Sequence, residues 1–123
     1  MITGDNLQTA KSIAFKCGIL SSEEYHNEES RSVMGSEHFN ISIRDEHGQV
    51  RQELIDKVWP DLRVLARAKP IDKYILVKFI INSKISKARE VVAVTGDGTN
   101  DGKLISPLIC VFPSSFICAR YWK

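Results

Sequence analysis

Three groups of residues in the 123-residue sequence have the composition of a site for phosphate and a hard cation. The first is a Thr-Gly-Asp turn at residues 3–5, and the last is a Thr-Gly-Asp-Gly-Thr-Asn-Asp run at residues 95–101. Between them lie Arg67, Pro70 and Lys73. Small hydroxyl and glycine residues expose backbone N–H groups to a phosphate, and clustered carboxylates supply the oxygen ligands that Mg²⁺ prefers. The sequence therefore favours phosphate chemistry with a divalent cation.

Each group also has an ordinary structural explanation. Capping of a helix by Asp5 or Asn6 would account for the first turn, and a plain turn would account for the glycines at 96–98. Lys73 falls in the first turn of a helix, where a cation opposes the helix dipole, and a bound phosphoryl group would offset that cost. Otherwise Lys73 is an exposed lysine with its ammonium group in water. Taken singly, no group decides between these alternatives.

The hydrophobic pattern predicts the elements that position these groups. We expect a strand stub at 1–5, then an amphipathic helix with Cys17 on its apolar face, a short strand from Ile19, and a polar excursion with a short strand near Val33–Met34 and Phe39. That amphipathic helix is expected at 6–18 and the polar excursion at 21–52. After them we expect a helix at 53–59, a strand at 64–66, a helix at 70–82 and a buried strand at 91–94. Alternating strands and helices predict an α/β fold, in which ligands bind beyond the carboxyl ends of the strands.

Composition excludes several classes of function. The chain is 43% hydrophobic and 26% charged with a net charge of +2, which argues against a nucleic-acid partner. The three cysteines show no Cys-x-x-Cys spacing, and from the residues after Met1 we expect no signal peptide. The apolar stretch at 104–119 contains Pro107 and Pro113 and is shorter than the ~20 residues of a spanning helix. We therefore expect no transmembrane helix in this chain.

In their order along the chain, the three groups resemble the signatures of the P-type ATPases, a branch of the haloacid-dehalogenase-like phosphotransferases. The segments that carry the resemblance are Met-Ile-Thr-Gly-Asp-Asn at 1–6, Val-Leu-Ala-Arg at 64–67 with Pro70 and Asp72-Lys73, and Val-Thr-Gly-Asp-Gly-Thr-Asn-Asp at 94–101. Cys-Gly-Ile-Leu at 17–20 and Ile-Asp-Lys-Val-Trp-Pro at 55–60 look like the plasma-membrane-type calcium pumps. The resemblance covers residues 1–102, a partial phosphorylation domain.

The resemblance implies an incomplete Rossmann-like, haloacid-dehalogenase-like parallel sheet with flanking helices. It implies ATP-driven calcium export through an aspartyl phosphate, with Mg²⁺ and ATP as cofactors and calmodulin as a candidate regulator of the whole pump. That pump would lie in the plasma membrane or an endomembrane, with this segment cytoplasmic. The implied roles are phosphoryl binding by Thr3, Gly4, Asp5, Lys73 and Asn100, ligation of Mg²⁺ by Asp97, and catalysis by Lys73 and Asp101.

The sequence departs from the family pattern in two places. The nucleophilic aspartate of the family lies in an Asp-Lys-Thr-Gly-Thr segment, which this chain lacks, so we expect the chain alone to be inactive. After residue 102 the family continues with a Pro-Ala-Leu-Lys type of helix, whereas residues 103–123 form an unrelated apolar tail, expected to be disordered. Gly102-Lys103 can be encoded by a splice-donor sequence, so translated intron is our hypothesis for the tail.

Two other functions stay open at this point. A small soluble phosphatase of the same superfamily would need an Asp-x-Asp nucleophile motif near the N-terminus, and residues 1–20 contain none. A regulatory or decoy module that binds an intact pump would need no nucleophile, and its association with such a pump would distinguish it.

Overall fold

The computed structural model describes residues 1–87, 90–95, 111–112 and 117–118. These residues form a small parallel sheet with flanking helices, which is compatible with the expected α/β class. The helices are α1 (Leu7–Lys16), α2 (Ser22–His26), α3 (Ser36–Ser42), α4 (Gln52–Val58) and α5 (Pro70–Ile81), and the strands are β1 (Val33–Gly35), β2 (Val64–Ala66), β3 (Ala93–Thr95), β4 (Val111–Phe112) and β5 (Ile117–Cys118).

A small parallel sheet organises the first part of the chain. Strands β1 and β2 pair in parallel from Val33 opposite Val64 to Gly35 opposite Ala66. On the other side of β2, Ile2 forms a parallel bridge to Leu65, so the predicted strand stub joins the sheet. Strand β2 therefore lies between two neighbours, and all three of its residues are fully buried.

The two faces of β2 pack against different helices because successive side chains on a strand point to opposite faces. Leu65 packs into the larger apolar cluster, which also contains Phe39 of α3, Ile55 of α4 and Leu76 of α5. Val64 and Ala66 pack into a second cluster with two small residues of α1 and with a residue from the turn after it, namely Ala10, Ala14 and Leu20. The sheet is thus covered on both sides.

The turn after α1 corrects two expectations. Gly18 adopts a φ of 73°, a left-handed conformation that ends the helix. The amides of Ile19 and Leu20 both donate to the Ala14 carbonyl, at 2.8 and 3.2 Å, so these residues close the helix end and form no strand. Cys17 is the C-cap residue and is exposed, so its expected place in the core is wrong.

The stretch at 21–52 is more regular than its polar composition predicted. The expected strand near Val33–Met34 is confirmed as β1, but Phe39 lies in a helix and is fully buried. Helix α3 begins directly after β1, and Phe39 within it and Ile43 at its C-cap pack in the core. The polar residues of this stretch therefore belong partly to α2 and α3 and partly to the turns beside them.

A second sheet forms around β3, with the strand order β4-β3-β5. Strand β3 pairs in parallel with β4 and antiparallel with β5. It begins at Ala93 rather than at the expected Val91, which is 74% exposed, whereas Val92 is buried in the larger cluster. Of residues 103–123 the structure describes only β4 and β5, so the disorder expected for that tail remains a prediction.

The helices of the described residues are short. Within residues 1–87, 90–95, 111–112 and 117–118, no helix combines the length and apolar content needed to cross a membrane.

Candidate functional site

The first two groups of candidate residues lie side by side at the carboxyl edge of the parallel sheet. The amide of Thr3 donates to the Leu65 carbonyl at 3.0 Å, which extends the ladder between the stub and β2. Beyond the last strand residue, the Ala68 amide donates to the Thr3 carbonyl and the Arg67 amide to the Asp5 carbonyl, each at 2.9 Å. The loops that lead into α1 and α5 are therefore joined by their backbones.

The loop at residues 3–5 is open to solvent. Thr3 Oγ1 donates to Asp5 Oδ2 at 2.8 Å and accepts from the Asp5 amide at 3.1 Å. Gly4 is exposed, and a Cβ atom built on it would meet nothing within 4 Å. Asn6, not Asp5, caps α1, because its Oδ1 accepts from the Thr9 amide at 2.9 Å. Helix capping therefore explains Asn6 and does not involve the Thr-Gly-Asp turn, in which Thr3 and Asp5 are hydrogen-bonded to each other.

Arg67 adopts an unusual backbone conformation at the turn from β2 to α5. Its φ is 52°, and among the described residues it is the one non-glycine with a positive φ. A non-glycine residue in this region costs of order 1 kcal/mol or more and persists where the surroundings impose it. The hydrogen bond to Asp5 helps to impose it here. The turn is thus shaped by its contact with the loop at residues 3–5.

Lys73 lies in the first turn of α5, which begins at Pro70, two residues after Ala68. The residue is partly buried. Ala68 is hydrogen-bonded to Thr3, and α5 begins two residues after Ala68, so the start of α5 lies near the Thr-Gly-Asp turn in space. The structure thereby brings the first and second groups to one edge.

The third group lies outside the described residues. Strand β3 ends at Thr95, and the structure does not describe Asp97, Asn100 and Asp101. Their expected convergence with Thr3 and Lys73 therefore remains a prediction. Among the residues that are described, no group of His, Cys, Asp or Glu side chains is arranged to hold a metal ion.

The most buried charged side chain of the described residues is Asp72, whose environment the sequence did not reveal. It is 1% exposed, and its Oδ2 accepts from Ser36 Oγ at 2.6 Å and from the Lys69 amide at 2.8 Å. Its Oδ1 accepts from Asn40 Nδ2 at 2.8 Å. Ser36 and Asn40 are four residues apart on α3, a spacing that places them on one helix face and was the available signal.

The ionisation of Asp72 reflects two opposing effects. Burial alone would raise the pKa of Asp72, because it disfavours the charged form. The hydrogen bonds donated by Ser36 and Asn40 oppose burial, aided by the amide and the charge of Lys69. The pKa of Asp72 is consequently lowered below its ordinary value, and its carboxylate is charged at neutral pH.

Glu24 provides a comparable carboxylate at the opposite end of the sheet. It accepts from the Ser21 amide and from Ser32 Oγ, both at 2.9 Å, and Arg63 Nε lies 3.8 Å from it. Ser32 precedes β1 and Arg63 precedes β2, so this cluster joins α2 to the amino ends of the strands. The backbone hydrogen bond at Ser21, followed by that from Ser32, lowers the pKa of Glu24.

Acid should destabilise the fold through these two carboxylates. Both have a lowered pKa when folded, so their stabilising contribution is fully present above about pH 4, the ordinary pKa of a carboxyl, and is lost as the pH falls through the lower folded values. We expect the urea midpoint to fall between about pH 5 and pH 3. Glu24→Gln should weaken that dependence, whereas Glu53→Gln at an exposed carboxylate should retain it. Equal midpoints for the parent chain at both pH values would contradict this expectation.

Comparison with known proteins agrees with the motifs. No protein-family model matches the chain. Over 102 residues, 83% of the chain, it is 57% identical to plasma membrane calcium-transporting ATPase 1 of Mus musculus. It is equally similar to plasma membrane calcium-transporting ATPase mca-1 of Caenorhabditis elegans, and 56% identical to plasma membrane calcium-transporting ATPase 2 of Oreochromis mossambicus.

The matched region is a small part of these relatives. The chain spans 8% of the length of the mouse protein and 9% of that of the Oreochromis mossambicus protein. Over this region, the chain belongs to the family of plasma membrane calcium-transporting ATPases.

Proposed function

We propose that this chain supplies the phosphate-binding side of the aspartyl-phosphate site of an ATP-driven calcium pump. The observation that carries the proposal is the edge where the Thr-Gly-Asp turn and the start of α5 are hydrogen-bonded together. At that edge Thr3 and Gly4 would hydrogen-bond the transferred phosphoryl group, and Asp5 would belong to the same loop. Lys73 would neutralise the charge that develops on the phosphoryl group in the transition state.

The described residues fit a phosphoryl group in two respects. The space beside Gly4 is open, and the hydroxyl of Thr3 is at the end of a parallel strand, where α/β sheets bind anions. A partly buried lysine at the start of α5 supplies a positive charge. Mg²⁺ would be held by Asp97, with Asn100 and Asp101 completing the pocket, and would supply positive charge near the phosphate. A haloacid-dehalogenase-like sheet, extended beyond the strand stub, is the fold that we propose for the complete site.

The context of this site follows from the relatives. We propose that the whole pump uses ATP and Mg²⁺, transports calcium across the plasma membrane or an endomembrane, and places this segment on the cytoplasmic side, where ATP is available. Calmodulin is a candidate regulator of such a pump. The match of 102 residues to plasma membrane calcium-transporting ATPases supports these statements.

A chimeric pump tests the proposal. Residues 1–102 would replace the matched segment in plasma membrane calcium-transporting ATPase 1 of Mus musculus, and phosphoenzyme formation from ATP would be measured in membranes. The chimera should form phosphoenzyme, and Lys73→Ala should slow its formation on the order of 10²-fold, because one charge-stabilising contact is lost in the transition state.

Lys78 provides the control for this substitution. It lies on the same helix, is exposed, and its ammonium group is 5.6 Å from the centre of the Tyr74 ring. Lys78→Ala should leave phosphoenzyme formation within a factor of about two, because surface substitutions usually change little. A chimera in which Lys73→Ala and Lys78→Ala behave alike would refute the proposed role of Lys73.

A further inference from the structure

We propose that Asp72 is a positioning residue, which fixes the first turn of α5 against α3 and thereby sets where Lys73 presents its ammonium group. The proposal rests on the proposed function in one respect, because it assigns Lys73 the phosphoryl group. The geometry of Asp72 itself is independent of that assignment. Its carboxylate joins α5 to α3 through hydrogen bonds from Ser36, which is 36 residues away in sequence, and from Asn40, which is 32 residues away.

Both oxygens of the Asp72 carboxylate are engaged. Oδ2 receives the Ser36 hydroxyl and the Lys69 amide, and Oδ1 receives the Asn40 amide nitrogen. Lys69 is the residue before α5, so its N–H is one of the groups that a helix start leaves without an internal partner. The same carboxylate therefore caps α5 and ties it to α3.

Helix α3 is a firm anchor for this contact. Phe39 is completely buried in the larger apolar cluster, and so is Ile43 at the end of the helix. Asn40 is itself held, because its Oδ1 accepts from Arg44 Nη2 at 2.9 Å. Its Nδ2 is thus oriented towards Asp72, as the amide cannot rotate without losing both contacts. The orientation of the first turn of α5 is transmitted from the core through Asn40.

Lys73 is the next residue after Asp72 on that turn. A small displacement of a charged group from its reacting geometry can cost on the order of 10²-fold in rate. A carboxylate buried to 1% exposure would be a costly way merely to stabilise a helix, because an exposed capping residue avoids desolvation. A role in placing Lys73 accounts for the burial.

The first test is made on the 123-residue chain and does not depend on activity. Amide hydrogen exchange would be followed at Lys69 and at the first turn of α5. Asp72→Asn keeps the shape of the side chain but replaces one of its two acceptor oxygens with a donor, so the hydrogen bonds from Ser36, Asn40 and Lys69 cannot all be kept, and exchange at Lys69 should accelerate about tenfold or more. Glu24→Gln removes the charge of a hydrogen-bonded carboxylate at the other end of the sheet and should leave Lys69 unchanged. Unaltered protection in Asp72→Asn would overturn the proposal.

The second test is a double-mutant cycle in the chimeric pump. Asp72→Asn should slow phosphoenzyme formation about tenfold or more, and Ser36→Ala, a milder change, should act in the same direction. In the Lys73→Ala background, Asp72→Asn should have no further effect, because the group that it positions is gone. Multiplying effects would show a purely structural role for Asp72 and would overturn the proposal.

The two hypotheses fail in different ways. If the function proposed for Lys73 is wrong, Lys73→Ala alone will leave phosphoenzyme formation unchanged. If only the positioning role is wrong, Lys73→Ala will slow the reaction and Asp72→Asn will add its own independent factor.

Discussion

Incubated with ATP and Mg²⁺ and then quenched in acid, the 123-residue chain should carry no covalent phosphate. An aspartyl phosphate requires a nucleophile opposite the charge-neutralising lysine and the metal. The chain has no Asp-Lys-Thr-Gly-Thr segment: the Asp-Lys pairs at 56–57 and 72–73 are followed by Val58 and Tyr74. The aspartate of the second pair, Asp72, is also buried and hydrogen-bonded, and is therefore not placed to attack a phosphoryl group.

An intact pump should retain covalent phosphate after the acid quench, whereas the 123-residue chain should retain none. The mouse relative, assayed in membranes under the same conditions, provides the positive control. Acid-stable label on the chain that hydroxylamine removes would contradict the expectation and would reveal a nucleophile outside the family pattern. Label that survives hydroxylamine would indicate a phosphate on another type of side chain.

Phe39→Ala should lower the free energy of unfolding by about 3–5 kcal/mol. The side chain is 0% exposed and packs in the larger apolar cluster with Leu65 of the central strand. Its removal forfeits the burial of an aromatic ring and leaves a cavity that the surrounding helices cannot fill completely. Because native domains are stable by only ~5–15 kcal/mol, this loss is a large fraction of the total stability.

The measurement is urea unfolding followed by circular dichroism. Ile41→Ala is the matched control, because Ile41 lies two residues away on the same helix and is 70% exposed. Its midpoint should change by no more than about 0.5 kcal/mol when converted to free energy. Equal losses for the two variants would mean that α3 does not pack on the sheet as described.

The sequence predicted most closely those elements whose local pattern is complete. Strand β2 has its predicted bounds, because three apolar residues between charged neighbours fit only a buried strand. Helix α5 begins at Pro70 as predicted, since proline is favoured at the first helical position and supplies no N–H that would be missed. The strand stub likewise pairs where the Thr-Gly-Asp motif required a preceding strand.

The errors fall where the outcome depended on distant parts of the chain. Helix α3 has only two buried apolar residues in and beside its seven positions, too few to stand out within a polar stretch. Its contact with Asp72 joins residues that no local pattern relates. Val91 was expected in a strand for its β-branched side chain, yet it is exposed, because pairing with β5 begins only at Ala93 and pairing with β4 only at Val94.

The backbone ladder between the stub and β2 has a mechanical consequence. Its hydrogen bonds continue past the strands to Ala68 and Arg67, so the segments that lead into α1 and α5 are joined by main-chain hydrogen bonds. A force that tilts α1 should therefore also move the start of α5. The left-handed backbone conformation of Arg67 restricts the change in dihedral angles that could absorb this movement. We therefore expect this edge of the sheet to transmit movement between α1 and α5 rather than to act as a hinge between them.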